Sequence, residues 1–232
     1  MKKKLNNLAF ICAKNSRSIA YLHFLEKFNL LPNTIISIDV KKQYRNIKPI
    51  RNKYFKFNLD IKKFSKKNNI NFFKIKKSKI NDSKCYNIIK SLKEKYIIYA
   101  ANYGDILKKK YFLLNKKFIH IHPGKLPRYK GSTTYYYEIL EKNSISFSAI
   151  FQNSKIDEGR IIKLRQYKIN QLEKSNLDHI FDPYLRSKLL IDVIMEFKKK
   201  GYLSSRHQKK SGKNIYYVIH PLLKHIAILS KN

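Results

Sequence analysis

The chain has little cysteine, little acid and no tryptophan. Its 232 residues include two cysteines, Cys12 and Cys85. Two thiols in no metal-like or redox-like spacing exclude a disulfide-stapled secreted domain and point to a reducing compartment. No apolar run approaches the length of a membrane span. The basic start Met1-Lys2-Lys3-Lys4 is followed by a short apolar stretch, residues 8–13, and then at once by Asn15, Ser16 and Arg17. A signal peptide needs a longer apolar region and a small-residue cleavage site. The expectation is a cytoplasmic protein with no membrane partner. Glycine is scarce as well, with six residues, and no GxGxxG follows the first apolar run, where Ala13-Lys14-Asn15-Ser16 stands instead. That argues against a nicotinamide dinucleotide.

Base is abundant. The formal net charge is +36, from 51 Lys and Arg against 15 Asp and Glu. Basic surfaces concentrate polyanions. Of the basic residues, however, 43 are Lys and 8 are Arg, whereas bidentate phosphate recognition favours Arg. The lysines run along the whole chain, among many Asn, Ile, Tyr and Phe. This composition fits a drift toward AT-rich codons better than a tuned nucleic-acid surface. No specific nucleic-acid partner is expected.

A chain of this length suits one ordinary domain with a small appendage. Short apolar runs read as strands at residues 8–13, 34–40, 71–75, 95–100, 118–122, 144–151 and 160–169. Helical spacing covers 18–28, 85–92 and most of 177–200, and a short helix is expected from Asp105. Ser132 is placed to cap a helix running to Leu140. Residues 41–70 are rich in Lys and Asn and carry no clear pattern. In the tail, Ser211-Gly212-Lys213-Asn214 reads as a hairpin turn before a strand at 215–219, and Pro221 opens a last helix. Strands alternating with helices predict an α/β fold: a Rossmann-like, open, mostly parallel twisted sheet with helices on both faces. Residues 1–200 form the main domain in this reading, and 201–232 a C-terminal hairpin and helix extension. Ligands of such sheets bind beyond the carboxyl ends of strands, which points to Tyr103-Gly104 and to His122-Pro123-Gly124.

The chemistry-bearing stretch is His120-Ile121-His122-Pro123-Gly124-Lys125-Leu126-Pro127-Arg128-Tyr129-Lys130-Gly131. Side chains alternate along a strand, so His120 and His122 share a face. Downstream, Ile156-Asp157-Glu158-Gly159 brings an acid into a loop between strands. The residues alone leave three readings open. The histidines are solvated or core residues; or, with Asp157, they hold a metal; or they perform acid–base and oxyanion work, with Asp157 orienting an imidazole.

These elements, in this order and spacing, resemble the folate-dependent formyltransferase family. That fold is shared by glycinamide ribonucleotide transformylase, the N-terminal domain of methionyl-tRNA formyltransferase and the sugar N-formyltransferases. The family signature is Asn-x-His-Pro, then Leu-Pro, a basic residue and Gly, then Asp followed shortly by Gly. Here it reads His120-Ile121-His122-Pro123, Leu126-Pro127, Lys130-Gly131 and Asp157-Glu158-Gly159. Tyr103-Gly104-Asp105-Ile106-Leu107 looks like the turn-plus-helix lining the family's folate pocket. The resemblance covers about residues 8–165. It implies 10-formyltetrahydrofolate as formyl donor, His122 as catalytic histidine hydrogen-bonding a developing oxyanion, Asp157 as its carboxylate partner, and no metal.

One departure stands out: the family's Asn is His120. An imidazole can donate a hydrogen bond where the amide did, but it is bulkier and titratable. The acceptor follows by elimination. Ala13-Lys14-Asn15-Ser16-Arg17 is not the Gly-rich phosphate loop of the purine enzymes, and about 30 residues after Lys200 do not supply the tRNA enzyme's C-terminal barrel. An amino-sugar nucleotide or another small amine remains as substrate and partner, and a homodimer is compatible with it. The competing readings are a metal-dependent hydrolase using His120, His122 and Asp157, and a degenerate formyltransferase-like binding protein. Tyr135-Tyr136-Tyr137 offers rings for stacking, although at least one must pack, because consecutive helical residues do not share a face. Arg186, in a helix begun near Pro183, is a minor candidate for a phosphate ligand. His207, His220 and His225 are read as structural or solvated.

Overall fold

In the computed structural model, residues 4–39, 52–56, 58–76, 79–102, 104–209 and 215–230 are described. The expected turn at 211–214 and Tyr103 lie outside them. The chain divides into two compact units, Met1–Ile119 and His120–Asn232. The segment from residue 201 onward, expected as an extension, lies within the second.

The first unit alternates β1 (Leu5–Ala13), α1 (Ser16–Lys27), β2 (Pro32–Asp39), α2 (Ile61–Lys67), β3 (Asn71–Lys76), α3 (Ser83–Ser91) and β4 (Tyr96–Ala100), and ends in β5 (Lys117–Pro123), which crosses into the second. β1 pairs in parallel with β2 and β4, β2 with β3, and β4 with β5. Parallel strands covered on both faces need near-continuous apolar sequence, and Leu8 to Cys12 are fully buried. On one face Ile11, Ile36, Ile75, Ile97 and Tyr99 pack with Cys85 and Ile89 of α3 and with Leu107, Tyr111 and Phe118. Each fully buried Ile or Leu contributes about 1.5–3 kcal/mol. Asn15 caps α1 by accepting from the Ser18 N–H at 2.9 Å. The helix expected from Asp105 does not form there. Tyr99 Oη donates to the Asp105 carbonyl at 2.6 Å and Asn81 Nδ2 to that of Ile106 at 2.8 Å, which removes those acceptors from a helical ladder. A 3₁₀ turn follows at Lys109–Leu113.

The second unit contains β6 (Lys130–Gly131), α4 (Thr134–Lys142), β7 (Ile145–Phe151), β8 (Ile161–Tyr167), α5 (Gln171–Ser175), a π-helical turn (Leu177–Phe181), α6 (Asp182–Lys200), β9 (Ile215–Tyr216) and α7 (Pro221–Leu229). β7 and β8 are antiparallel, and α6 lies against both, burying Leu189, Leu190, Val193 and Ile194. The seven long strands order as β3-β2-β1-β4-β5-β7-β8, the mostly parallel α/β sheet expected. Ser132 is not the cap of α4. Thr133 holds that position in a left-handed conformation, with no side-chain cap bond. Nor is the last strand five residues of a hairpin: its two residues pair in parallel with β6. Among the described residues, no helix is long and apolar enough to cross a membrane.

Candidate active site

His120 and His122 leave the carboxyl end of β5 within the second unit. His122 is 1% exposed. Its Nδ1 lies 3.3 Å from Asp157 Oδ1, and its Nε2 lies 2.6 Å from the Tyr129 carbonyl oxygen. A carboxylate and a carbonyl only accept hydrogen bonds, so both contacts are satisfied when both ring nitrogens carry a proton. Thr134 Oγ1 stands at 3.5 Å from Nε2. His120 is half-buried, with its ring centroid 6.5 Å from that of His122. One ligand-capable atom from each of His120, His122 and Asp157 lies within 4.8 Å of the others.

Asp157 is placed by its backbone. Its φ is +53°, a region that costs a non-glycine residue on the order of 1–3 kcal/mol and persists only where neighbours enforce it. Gln208 Nε2 donates to the carbonyls of Asp157 at 2.6 Å and Gly159 at 2.8 Å. Gly131 N–H donates to Asp157 Oδ2 at 2.9 Å. Burial pushes the Asp157 carboxyl up. The charge and hydrogen bond of His122, the charge of His120 and the Gly131 N–H outweigh it and hold the acid well below the usual carboxylate range.

Close backbone approaches surround the pair. A Cβ on Gly131 would stand 2.0 Å from the Tyr216 carbonyl oxygen, and one on Gly159 1.7 Å from that of Phe151. Ser148 of β7 ties down the intervening loop, donating to the Gly124 carbonyl at 2.7 Å and accepting from the Leu126 N–H at 3.1 Å. The Leu126–Pro127 bond is cis. Lys130 Nζ pairs with Glu158 at 3.1 Å, so the cation beside the site is matched locally.

The arrangement is a buried imidazole and a partly accessible carboxylate, with a second imidazole on the same strand. Comparison with known proteins then bears on what such a site belongs to. No protein-family model matches the chain. The methionyl-tRNA formyltransferase of Campylobacter lari is 30% identical over 153 residues, 66% of this chain and 50% of its own length. In sequence the chain is similar to formyltransferases. It spans about half the length of that relative. A sugar N-formyltransferase from Shewanella sp FDAARGOS_354 shares the fold at a TM-score of 0.62 and 15% identity, over 97% of this chain and 87% of its own. The N-formyltransferase of Helicobacter canadensis, solved with folinic acid and dTDP-3-aminofucose, does so at 0.60 and 16%, over 91% and 70%.

Within the formyltransferase frame, the structure brings together His120, His122 and Asp157. Gly104, Asp105, Ile106 and Leu107 lie in the first unit: Gly104 at φ +78°, Ile106 59% exposed, Leu107 buried in the core. The 440 Å³ cavity of that unit is lined by Lys14, Ser37, Asp60, Phe72 and Lys74 among others, and by none of the expected site residues. Arg186 is no phosphate ligand. It is buried, paired through Nε to Asp182 Oδ1 at 2.7 Å, and its Nη1 donates to the Ile121 carbonyl at 2.6 Å, bracing the strand between the two histidines. Tyr135 and Tyr136 are buried and donate to Asp178 Oδ1 at 2.7 and 2.8 Å, while Tyr137 lies against Tyr216, with centroids 4.6 Å apart. His220 caps α7. Gln208 carried no signal in the sequence, because a lone polar residue in a basic tail has no pattern. Gly131 did, as part of the spaced motif.

Proposed function

We propose that the chain is an N-formyltransferase that moves a formyl group from 10-formyltetrahydrofolate to the amine of a small molecule, an amino-sugar nucleotide by class. The observation that carries this is the 3.3 Å pairing of His122 with Asp157 in a chain similar in sequence to formyltransferases. The folate supplies the formyl group when bound. Attack by an amine places negative charge on the formyl oxygen and leaves the nitrogen a proton to lose. The new carbon–nitrogen bond forms, the bond to the donor nitrogen breaks, and the proton that the amine loses ends on the departing donor nitrogen. The Asp157 carboxylate, on a side chain 13% exposed, takes the amine proton. His122 keeps that carboxylate ionised and aligned. Its Nε2 is committed to Tyr129, so donation to the oxygen, expected of His122, passes to His120 on the same strand face.

Gly104, Asp105 and Ile106 are the residues that would hold the folate. Ile106 presents an open apolar side chain suited to a flat ring, and the backbone beside it is fixed by Tyr99 and Asn81. Leu107 contributes by packing beneath. The acceptor class is supported by the likeness in fold to sugar N-formyltransferases, at TM-scores of 0.62 and 0.60 for the Shewanella and Helicobacter enzymes. Every relative reported above is a formyltransferase by name, and none favours a hydrolase. The test is to incubate the purified chain with 10-formyltetrahydrofolate and a panel of amino-sugar nucleotides, then read products by mass spectrometry. A formylated sugar nucleotide is the expected product. Folate consumption with formylation of methionyl-tRNA alone would overturn the acceptor class.

A further inference from the structure

We infer that His120, His122 and Asp157 form a site for one divalent transition-metal ion, and that its occupancy switches formyl transfer off; the second half rests on the function proposed above. Three donors converge, each within 4.8 Å of the others. Ligands about 2.0–2.1 Å from a tetrahedral zinc stand roughly 3.4 Å apart. The His122 Nδ1–Asp157 Oδ1 separation, 3.3 Å, already has that value. His120 brings the third donor to within 4.8 Å of both.

The surroundings supply the second observation. A metal-bound histidine commonly donates its other ring N–H to a backbone carbonyl, and a metal-bound carboxylate is itself hydrogen-bonded. His122 Nε2 already faces the Tyr129 carbonyl at 2.6 Å, which leaves Nδ1 as the ligand atom. Asp157 Oδ2 already accepts from Gly131 at 2.9 Å, which leaves Oδ1. Both first ligands are thus oriented by the fold before any ion arrives. On binding, the metal takes the place of the Nδ1 proton, which leaves to solvent. Three protein ligands leave a fourth position for water. Two imidazoles and one carboxylate suit zinc, cobalt or nickel, and not magnesium or calcium, which prefer all-oxygen shells.

Occupancy blocks transfer because the same atoms cannot do both tasks. Metal-bound Asp157 no longer accepts the amine proton, and metal-bound His120 no longer donates to the formyl oxygen.

The experiment titrates the chelator-stripped full chain with cobalt(II) chloride, following visible absorption and the metal-to-protein ratio, for the native chain and His120→Asn. The native chain should bind one equivalent with the intense bands of low-coordinate cobalt. The variant should bind at least roughly tenfold more weakly, and magnesium should not compete. Equal affinity in the variant, or no saturable binding, overturns the site. Zinc should then suppress native transfer in step with occupancy, reversed by chelation, and suppress any His120→Asn transfer only at roughly tenfold or more higher zinc. Transfer unaffected at full occupancy overturns the switch. Metal binding as described in a chain that, stripped, formylates no amine would sink the functional reading and leave the metal site standing.

Discussion

The two units are held together by different means. In the first, strands and helices meet through apolar side chains such as Ile11, Ile36, Ile97 and Ile89, and its turn at Gly104 has open space around it. In the second, the site is held by backbone groups: the Tyr129 carbonyl, the Gly131 N–H, and the carbonyls of Asp157 and Gly159 gripped by Gln208. The contrast predicts that substitutions in the loops that aim the dyad cost more than those at the open turn of the first unit.

Glycine substitutions probe the contrast most strongly. Gly159→Ala drives a Cβ to within 1.7 Å of the Phe151 carbonyl. It should cost on the order of 4 kcal/mol or more, seen as a large fall in urea midpoint or loss of soluble protein. Gly104→Ala, at φ +78° with nothing within 4 Å, should cost only about 1–2 kcal/mol. Equal losses would erase the distinction.

Gln208→Ala comes next. It strips two donors from a loop that holds Asp157 at positive φ, leaving two carbonyls to find other partners, at about 1–3 kcal/mol. Transfer should fall by roughly tenfold or more in kcat with KM little changed, because the acid is misaimed rather than removed. A change confined to KM would make Gln208 a binding residue.

A pH effect on the second unit should be smaller. Burial raises the Asp178 carboxyl, but bonds from Lys224, Tyr135 and Tyr136 and the Lys224 charge lower it further than burial lifts it. A depressed folded pKa stabilises above the unfolded value, about 3.9, and that stability is lost as pH falls through the folded value. Tm should therefore drop below about pH 4, and Asp178→Asn should flatten that part of the profile. Smallest of all, Ile36→Val in the first core should cost about 0.5–1.5 kcal/mol and leave kcat unchanged.

Much of the first unit was legible in sequence, because period and apolar run length report directly on buried strands. β1, β2, β3 and β4 fall where runs of Ile, Phe and Leu place them. The short helix expected from Asp105 failed because Tyr99 and Asn81, distant in the pattern, capture its carbonyls. The Ser132 cap failed because Thr133 turns left-handed first, a choice no side-chain pattern records. At the site, His120, His122 and Asp157 were visible through their spacing. Gly131 apart, the partners that aim them were not, since the Tyr129 carbonyl is a main-chain group and Gln208 arrives from about fifty residues downstream. The same blindness explains Arg186, whose charge suggested a ligand and whose burial against Asp182 and the Ile121 carbonyl makes it a brace.

The rate at which the full chain transfers an isotopically labelled formyl group to its amine, set beside that of Asp157→Asn at the same pH, bears most directly on the dyad. Circular dichroism should show both proteins folded. Loss of the base should slow transfer by about 10²–10⁴-fold. Transfer by Asp157→Asn at the native rate would contradict the assignment of Asp157, aligned by His122, as the group that takes the amine proton.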